Sequence, residues 1–229
     1  MSWRASTVRA LLALTLLAPA SSALAAAPAE APAAASAKTQ TVGELLASFA
    51  VMKGFEASFT EEKHLALLAA PLKSSGKLYY APPGRFARVV EAPQRSTVVI
   101  TATSLTMTDA TGKQAIDLRA RPDVKTFVES FLMVLAGDER GLAKVYRLEI
   151  AAADPEDVRA GWVLTLTPRG EPLSRLVKGL TLRGHGLHVT TVRVDEVSGD
   201  WSEITVRDAD PYRAFTDEEK ARLFGAPKP

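Results

Sequence analysis

From Phe55 to Leu118 apolar residues recur at every second position, and the same period returns between residues 145 and 208. Alternation by two puts successive side chains on opposite faces of a strand, so one sheet face is buried and the other is wet. Phe55, Ala57 and Phe59 alternate with Glu56, Ser58 and Thr60. Strands are expected at 76–80, 85–91, 96–101, 104–109 and 113–118, parted by Pro82-Pro83-Gly84, Pro93 and the Asp109–Gly112 turn. Further strands are expected at 145–152, 161–167, 174–183, 187–196 and 201–208, with turns at Asp154–Ala160 and Ser198-Gly199-Asp200. About ten short strands in hairpin order form an antiparallel meander, and a sheet of that size twists and curls.

Where the period changes, helices are expected. Leu45, Leu46, Phe49 and Met52 share one helical face in Thr41–Lys53, with Thr41 and Glu44 as a capping box and Gly54 as the stop. Behind Pro122, residues Val124, Phe127, Val128, Phe131, Leu132 and Leu135 form an apolar stripe over 122–136, ended by Gly137. A short helix follows over Asp138–Ala143. Another is expected over Thr216–Phe224, capped by Thr216 and Glu219.

The inward phase of the strands is large and apolar. It comprises Leu78, Tyr80, Phe86, Val98, Ile100, Leu105, Met107, Leu148, Ile150, Leu164, Leu166, Leu180, Leu182, Val192, Val194, Ile204 and Val206. A curled sheet lined this way and covered by two helices either packs solid or encloses an apolar cavity, and periodicity is consistent with both. The segment His64–Leu72 (HLALLAAPL) is apolar where a hairpin loop belongs. It either contacts lipid, a cavity rim or a partner, or tucks onto the core.

The N-terminus bears on where such a protein works. Arg4 and Arg9 precede the apolar run Leu11–Leu17, and Ala23-Leu24-Ala25 follows. That order is expected of a secretory leader cleaved after Ala25, and the run is shorter than the roughly 20 apolar residues a membrane span needs. Residues 26–38 are nearly all Ala, Pro and Ser, as in a flexible tether. Loss of Arg4 and Arg9 takes the basic residues from 28 to 26, equal to the 26 acidic ones. With no Lys/Arg block to track phosphates, nucleic acid is not an expected partner. The absence of cysteine excludes disulfides, thiolate catalysis and thiolate metal sites.

Two stretches carry a family likeness. Phe55-Glu56-Ala57-Ser58-Phe59-Thr60-Glu61 resembles the FxAxFxQ opening of the LolA family of periplasmic outer-membrane lipoprotein carriers, with Glu61 in place of the usual amide. Ser75-Gly76-Lys77-Leu78-Tyr79-Tyr80 before Pro82-Pro83 resembles that family's G-x-L-aromatic strand and proline turn. Arg85-Phe86-Ala87-Arg88 and Glu91-Ala92-Pro93 follow its next strand and turn more loosely. The likeness covers 41–210 in element order and is sharpest over 55–93. Ala81 or Pro82 stands where the family carries a basic residue linking barrel to lid, and Arg88 stands where it often carries Trp. These departures, with the tract Leu173–Gly186, resemble the divergent LolA-related branch.

The resemblance implies a mainly β, α+β protein: a half-open antiparallel β-barrel with helices as a lid, in one domain over 39–210 followed by a polar tail, 211–229. It implies a non-enzymatic periplasmic carrier that is monomeric and uses no cofactor. Its expected cargo is an acylated lipoprotein or another lipid-linked molecule, received from an inner-membrane donor complex and passed to an outer-membrane acceptor. The implied cavity and lid residues are Leu78, Tyr80, Phe86, Val98, Ile100, Leu105, Met107, Phe127, Phe131, Leu135, Leu164 and Leu180. Arg85 and Arg88 are candidates for the missing link to the lid.

Other readings compete with the carrier. An RseB-like lipid-sensing regulator carries a second domain, whereas only a short tail follows Tyr212, which favours the carrier. A structural protein with a filled core is the third reading of the same pattern. Glu61-Glu62, Asp195-Glu196 and Asp200 are numerous enough for a hydrolase pair, but charges at hairpin ends are expected to be solvated. His185 and His188, three apart in a strand-like tract, are expected on opposite faces and so make no metal site.

Overall fold

The computed structural model describes residues 40–154, 156–157 and 161–225. The expected leader, the Ala/Pro-rich stretch and part of the 154–160 turn lie outside the described residues. Helix α1 (Val42–Ala50) opens the fold on the expected capping box, with Thr41 and Glu44 satisfying each other's backbone N–H groups. Six strands follow: β1 (Phe55–His64), β2 (Leu72–Ala81), β3 (Arg85–Ala92), β4 (Ser96–Ile100), β5 (Ser104–Asp109) and β6 (Gly112–Asp117). Helices α2 (Pro122–Ala136) and α3 (Glu139–Val145) interrupt them. Strands β7 (Tyr146–Ala152), β8 (Trp162–Pro168), β9 (Val177–His185), β10 (His188–Glu196) and β11 (Trp201–Asp210) and helix α4 (Asp217–Phe224) complete the chain.

All eleven strands form one antiparallel sheet in the order β6-β5-β4-β3-β2-β1-β11-β10-β9-β8-β7. The first strand pairs with the last, from Glu56↔Asp210 to His64↔Trp201. The edges β6 and β7 are not paired to each other, so the barrel stays half-open. The chain crosses from one edge to the other through α2 and α3, which places the lid over the inner face.

Two apolar cores lie on that face. Leu45, Leu46 and Phe49 of α1 pack on Leu164, Leu166, Leu180 and Leu182. Val124 and Val128 of α2 pack on Phe59, Leu78, Tyr80, Phe86, Ile100 and Leu105. Two glycines permit this packing. A Cβ on Gly76 would sit 1.9 Å from the Val89 carbonyl oxygen, which explains the glycine of the G-x-L-aromatic strand. Gly137, at φ 65, ends α2 in the left-handed conformation, and a side chain there would strike the Leu46 carbonyl oxygen at 2.1 Å. On the outer face, Phe215 and Phe224 of the C-terminal segment pack on Ala81 and Ala87, so part of the polar tail is docked.

Some boundaries differ from the sequence expectation. Strand β9 starts at Val177 rather than 174, because Leu173–Arg175 turns as a 3-10 helix that buries Leu173. Helix α3 reaches Val145, capped by Asp138, which accepts the Gly141 N–H at 2.9 Å. Strand β2 begins at Leu72, four residues early, and extends the β1–β2 hairpin. His185 and His188 do not point to opposite faces. Gly186, at φ 50, reverses the chain between them, so they pair across the hairpin and their rings stack at 5.3 Å. Among the described residues no group of three metal-ligating side chains forms.

Candidate functional site: a lidded apolar wall with a polar end

Cross-strand pairing sets the inner wall out in rows. One runs Phe55–Tyr80–Phe86–Ile100–Leu105–Ile116 from β1 to β6. Another runs Ile150–Leu164–Leu182–Val192–Ile204 from β7 to β11 and then turns polar at Glu61 and Ser74. Leu78, Tyr80, Phe86, Ile100, Leu105, Leu164 and Leu180 are buried in the wall, while Val98 and Met107 are half-buried. The wall and the lid meet at a seam of half-buried side chains: Phe131, Leu132 and Leu135 of α2 against Val98, Met107, Ile204 and Val206. Phe131 sets its ring edge-on to Phe86, with centroids 4.8 Å apart. Phe127, on the other flank of α2, packs towards the α1 core. The twelve cavity and lid residues thus share one face, but in two clusters rather than one.

The polar end of the wall was not foreseen. Glu61 and Lys63 continue the inward phase of Phe55, Ala57 and Phe59, and Arg88 shares the phase of Phe86. Arg88 Nη2 donates to Glu61 Oε2 at 2.5 Å and to Ser74 Oγ at 3.1 Å, and the guanidinium lies 4.7 Å over the Phe59 ring. The two departures from the family pattern, Glu61 and Arg88, therefore pair with each other across the wall, with no lid residue in the pair. Arg85 falls in the opposite phase, on the outer face.

Lys63, Glu196, Asp200 and Ser202 are buried around this end. The expectation that hairpin-end charges are solvated is corrected for Glu61, Glu196 and Asp200, because their strands and turns fold them inward. Burial, partly offset by the Ser198 hydroxyl and the Lys63 charge, pushes Glu196 up to about 7. Burial likewise holds the Lys63 ammonium below its ordinary value.

The Glu196 shift makes stability depend on pH. The unfolded acid loses its proton near 4.5 and the folded one near 7, so the folded state carries a growing penalty across that window. Stability from this group is full below 4.5 and is lost as pH rises to about 7. Denaturant unfolding at about pH 5 and about pH 8 is expected to show a fall that Glu196→Gln removes. An equal fall in both proteins would contradict the assignment.

Two features lie outside the apolar wall. A shallow groove of about 630 Å³ runs over β11, β1 and β2, lined by Thr60, Glu62, Lys73, Trp201, Glu203, Thr205 and Arg207 and reaching Glu61 and Ser74 of the polar end. It does not coincide with the apolar wall, which the lid covers. The loop after His64 is not tucked onto the core: Leu67 is 91% exposed, with Leu68, Leu72 and Val197 also exposed. Behind this apolar tip, His64 stacks on Trp201 at 3.7 Å and Arg193 lies 4.0 Å over the same indole. Among the described residues no helix is long and apolar enough to cross a membrane.

Comparison with known proteins gives a family and several distant structural neighbours. No curated protein matches the chain in sequence. Several solved structures are similar to it at low identity. An uncharacterized conserved protein from Thermus thermophilus is 14% identical, covering 82% of this chain and 96% of its own, with a TM-score of 0.48. A LolA superfamily protein from Nitrosomonas europaea is 12% identical, covering 80% and 97%, with a TM-score of 0.43. The MucA/MucB complex of Pseudomonas aeruginosa gives 15% identity, 76% and 56% coverage, and a TM-score of 0.46. The family model for LolA-like outer membrane lipoprotein carrier proteins matches residues 33–221, most of the chain, and the chain belongs to that family.

Proposed function

We propose that the protein is a periplasmic carrier that takes acyl chains of a lipoprotein or another lipid-linked molecule between lid and wall, and moves them from an inner-membrane donor towards the outer membrane. The observation that supports this reading is the seam. Beside the buried contacts of Val124 and Val128, the rest of the α2 stripe, Phe131, Leu132 and Leu135, meets Val98 and Met107 of the wall through side chains that stay half-buried. Each CH₂ that enters contributes about 0.8 kcal/mol, so a long chain competes with the lid's own contacts. Cargo and lid compete for the same wall, and handover needs only a modest difference in affinity between carrier and acceptor. The carrier acts as a monomer and performs no covalent step.

The exposed Leu67–Leu68 tip provides the surface for contact at a membrane. The test is transfer of a fluorescent acyl lipid from donor to acceptor vesicles. The wild-type protein is expected to speed transfer, and Leu67→Ser with Leu68→Ser to slow it about tenfold while equilibrium binding is unchanged. A wild-type protein that neither binds nor moves the lipid would overturn the reading.

A further inference from the structure

On the inner wall one cation, Arg88, has a buried donor without an acceptor, and a second, Lys63, stands beside the same carboxylates. Lys63 is only 8% exposed, and its ammonium is held by the charges of Glu196, Glu61 and Asp200 rather than by a direct hydrogen bond among the described residues. Arg88 directs Nη2 to Glu61 and Ser74, but its Nε–H is buried and meets no acceptor. A buried donor without an acceptor is costly, and most such groups in native proteins are satisfied.

The carboxylates at this end do not supply the missing acceptor. Glu61 is engaged by Arg88. Glu196 accepts the Ser198 hydroxyl at 3.1 Å, and Asp200 accepts the Ala66 N–H at 3.2 Å. Ser202 is the strand partner of Lys63, and no bond joins the two side chains. These donors stand at the end of rows whose next members, Ile204, Val206 and Phe59, belong to the apolar wall. An apolar wall that ends at the open Arg88 Nε–H and the Lys63 ammonium matches an amphiphile with an acidic head.

We propose that Lys63 and the Arg88 Nε–H form the head-group end of the acyl site, and that the cargo is an amphiphile with an anionic head, carboxylate or phosphate, whose chains lie along the lid seam. Head and chain recognition are then separate, each on its own part of the wall. Proton uptake by Glu196 offsets the incoming negative charge beside Asp200 and Glu61. This inference rests on the acyl-carrier reading.

The experiment compares cis-parinaric acid with its methyl ester, the same chain without the charge, by fluorescence titration. The wild-type protein is expected to bind the acid about tenfold more tightly than the ester. Lys63→Met is expected to abolish the preference and leave ester affinity unchanged, and Lys63→Arg to restore it. Ester binding reports that each variant is folded. Displacement of the bound acid by oleoyl lysophosphatidic acid at lower concentration than by oleate identifies the head as phosphate, and the reverse order as carboxylate. Equal wild-type affinity for acid and ester, or a preference that survives Lys63→Met, overturns the head-group site and leaves the carrier reading standing. Binding of neither ligand overturns both.

Discussion

Phe131→Glu is expected to weaken binding of an acyl ligand about thirtyfold or more while the melting temperature moves by no more than about 4 °C. Phe131 stands on the lid, half-buried, with its ring against Phe86. A carboxylate there cannot be desolvated against an acyl chain without a partner, so the lid no longer covers cargo. The fold survives because the α1 core on β7–β10 does not include this side chain, and an exposed carboxylate turns to water as the helix lifts. Leu164→Glu is the matched control. Leu164 is fully buried in the α1 core, so the charge has no escape and unfolding is expected. Leu105→Glu lies between the two, since Leu105 is 6% exposed beneath the lid and loses stability along with binding. Unchanged ligand affinity in Phe131→Glu would remove the seam from the acyl site.

The second large effect comes from holding the lid shut. A Cβ at Gly84, in the β2–β3 turn, would lie 3.7 Å from Leu132 Cδ1 of α2. The chain has no cysteine, so Gly84→Cys with Leu132→Cys provides the only two thiols for a short bifunctional reagent. Position 84 has φ 59, and a side chain there costs about 1 kcal/mol, which a fold of this size tolerates. The joined protein is expected to take up an acyl ligand at least about tenfold more weakly than the same variant before joining. A ligand that binds equally well with the lid tied down does not enter beneath it.

Much of this architecture was legible in the amino-acid sequence because the physics is local. The period-two runs, Pro122 at the start of α2, Gly137 at its end and both capping boxes write their elements directly, and the inward phases of Leu78, Phe86, Leu105 and Leu164 follow from alternation. The pairing of β1 with β11 was not legible, since it joins residues far apart in the chain with no local signal. The polar end was half-legible. Counting by twos from Phe55 reaches Glu61 and Lys63, but charges near a hairpin end are ordinarily solvated, and that prior hid their burial. Glu61 and Arg88 stood out only as separate departures from a family pattern. Their register across β2, which brings them into contact, required the structure. The histidine pair was misplaced because a two-residue reversal at Gly186 is invisible to a count along one strand.

The most direct measurement is native mass spectrometry of residues 26–229 purified from a bacterial periplasm, followed by extraction of whatever is bound. The account predicts an added mass that extracts as an acylated species, and its loss in Phe131→Glu. A bare protein mass that stays unchanged when lipids and lipopeptides are added would contradict it, and the wall and lid would then be a filled core.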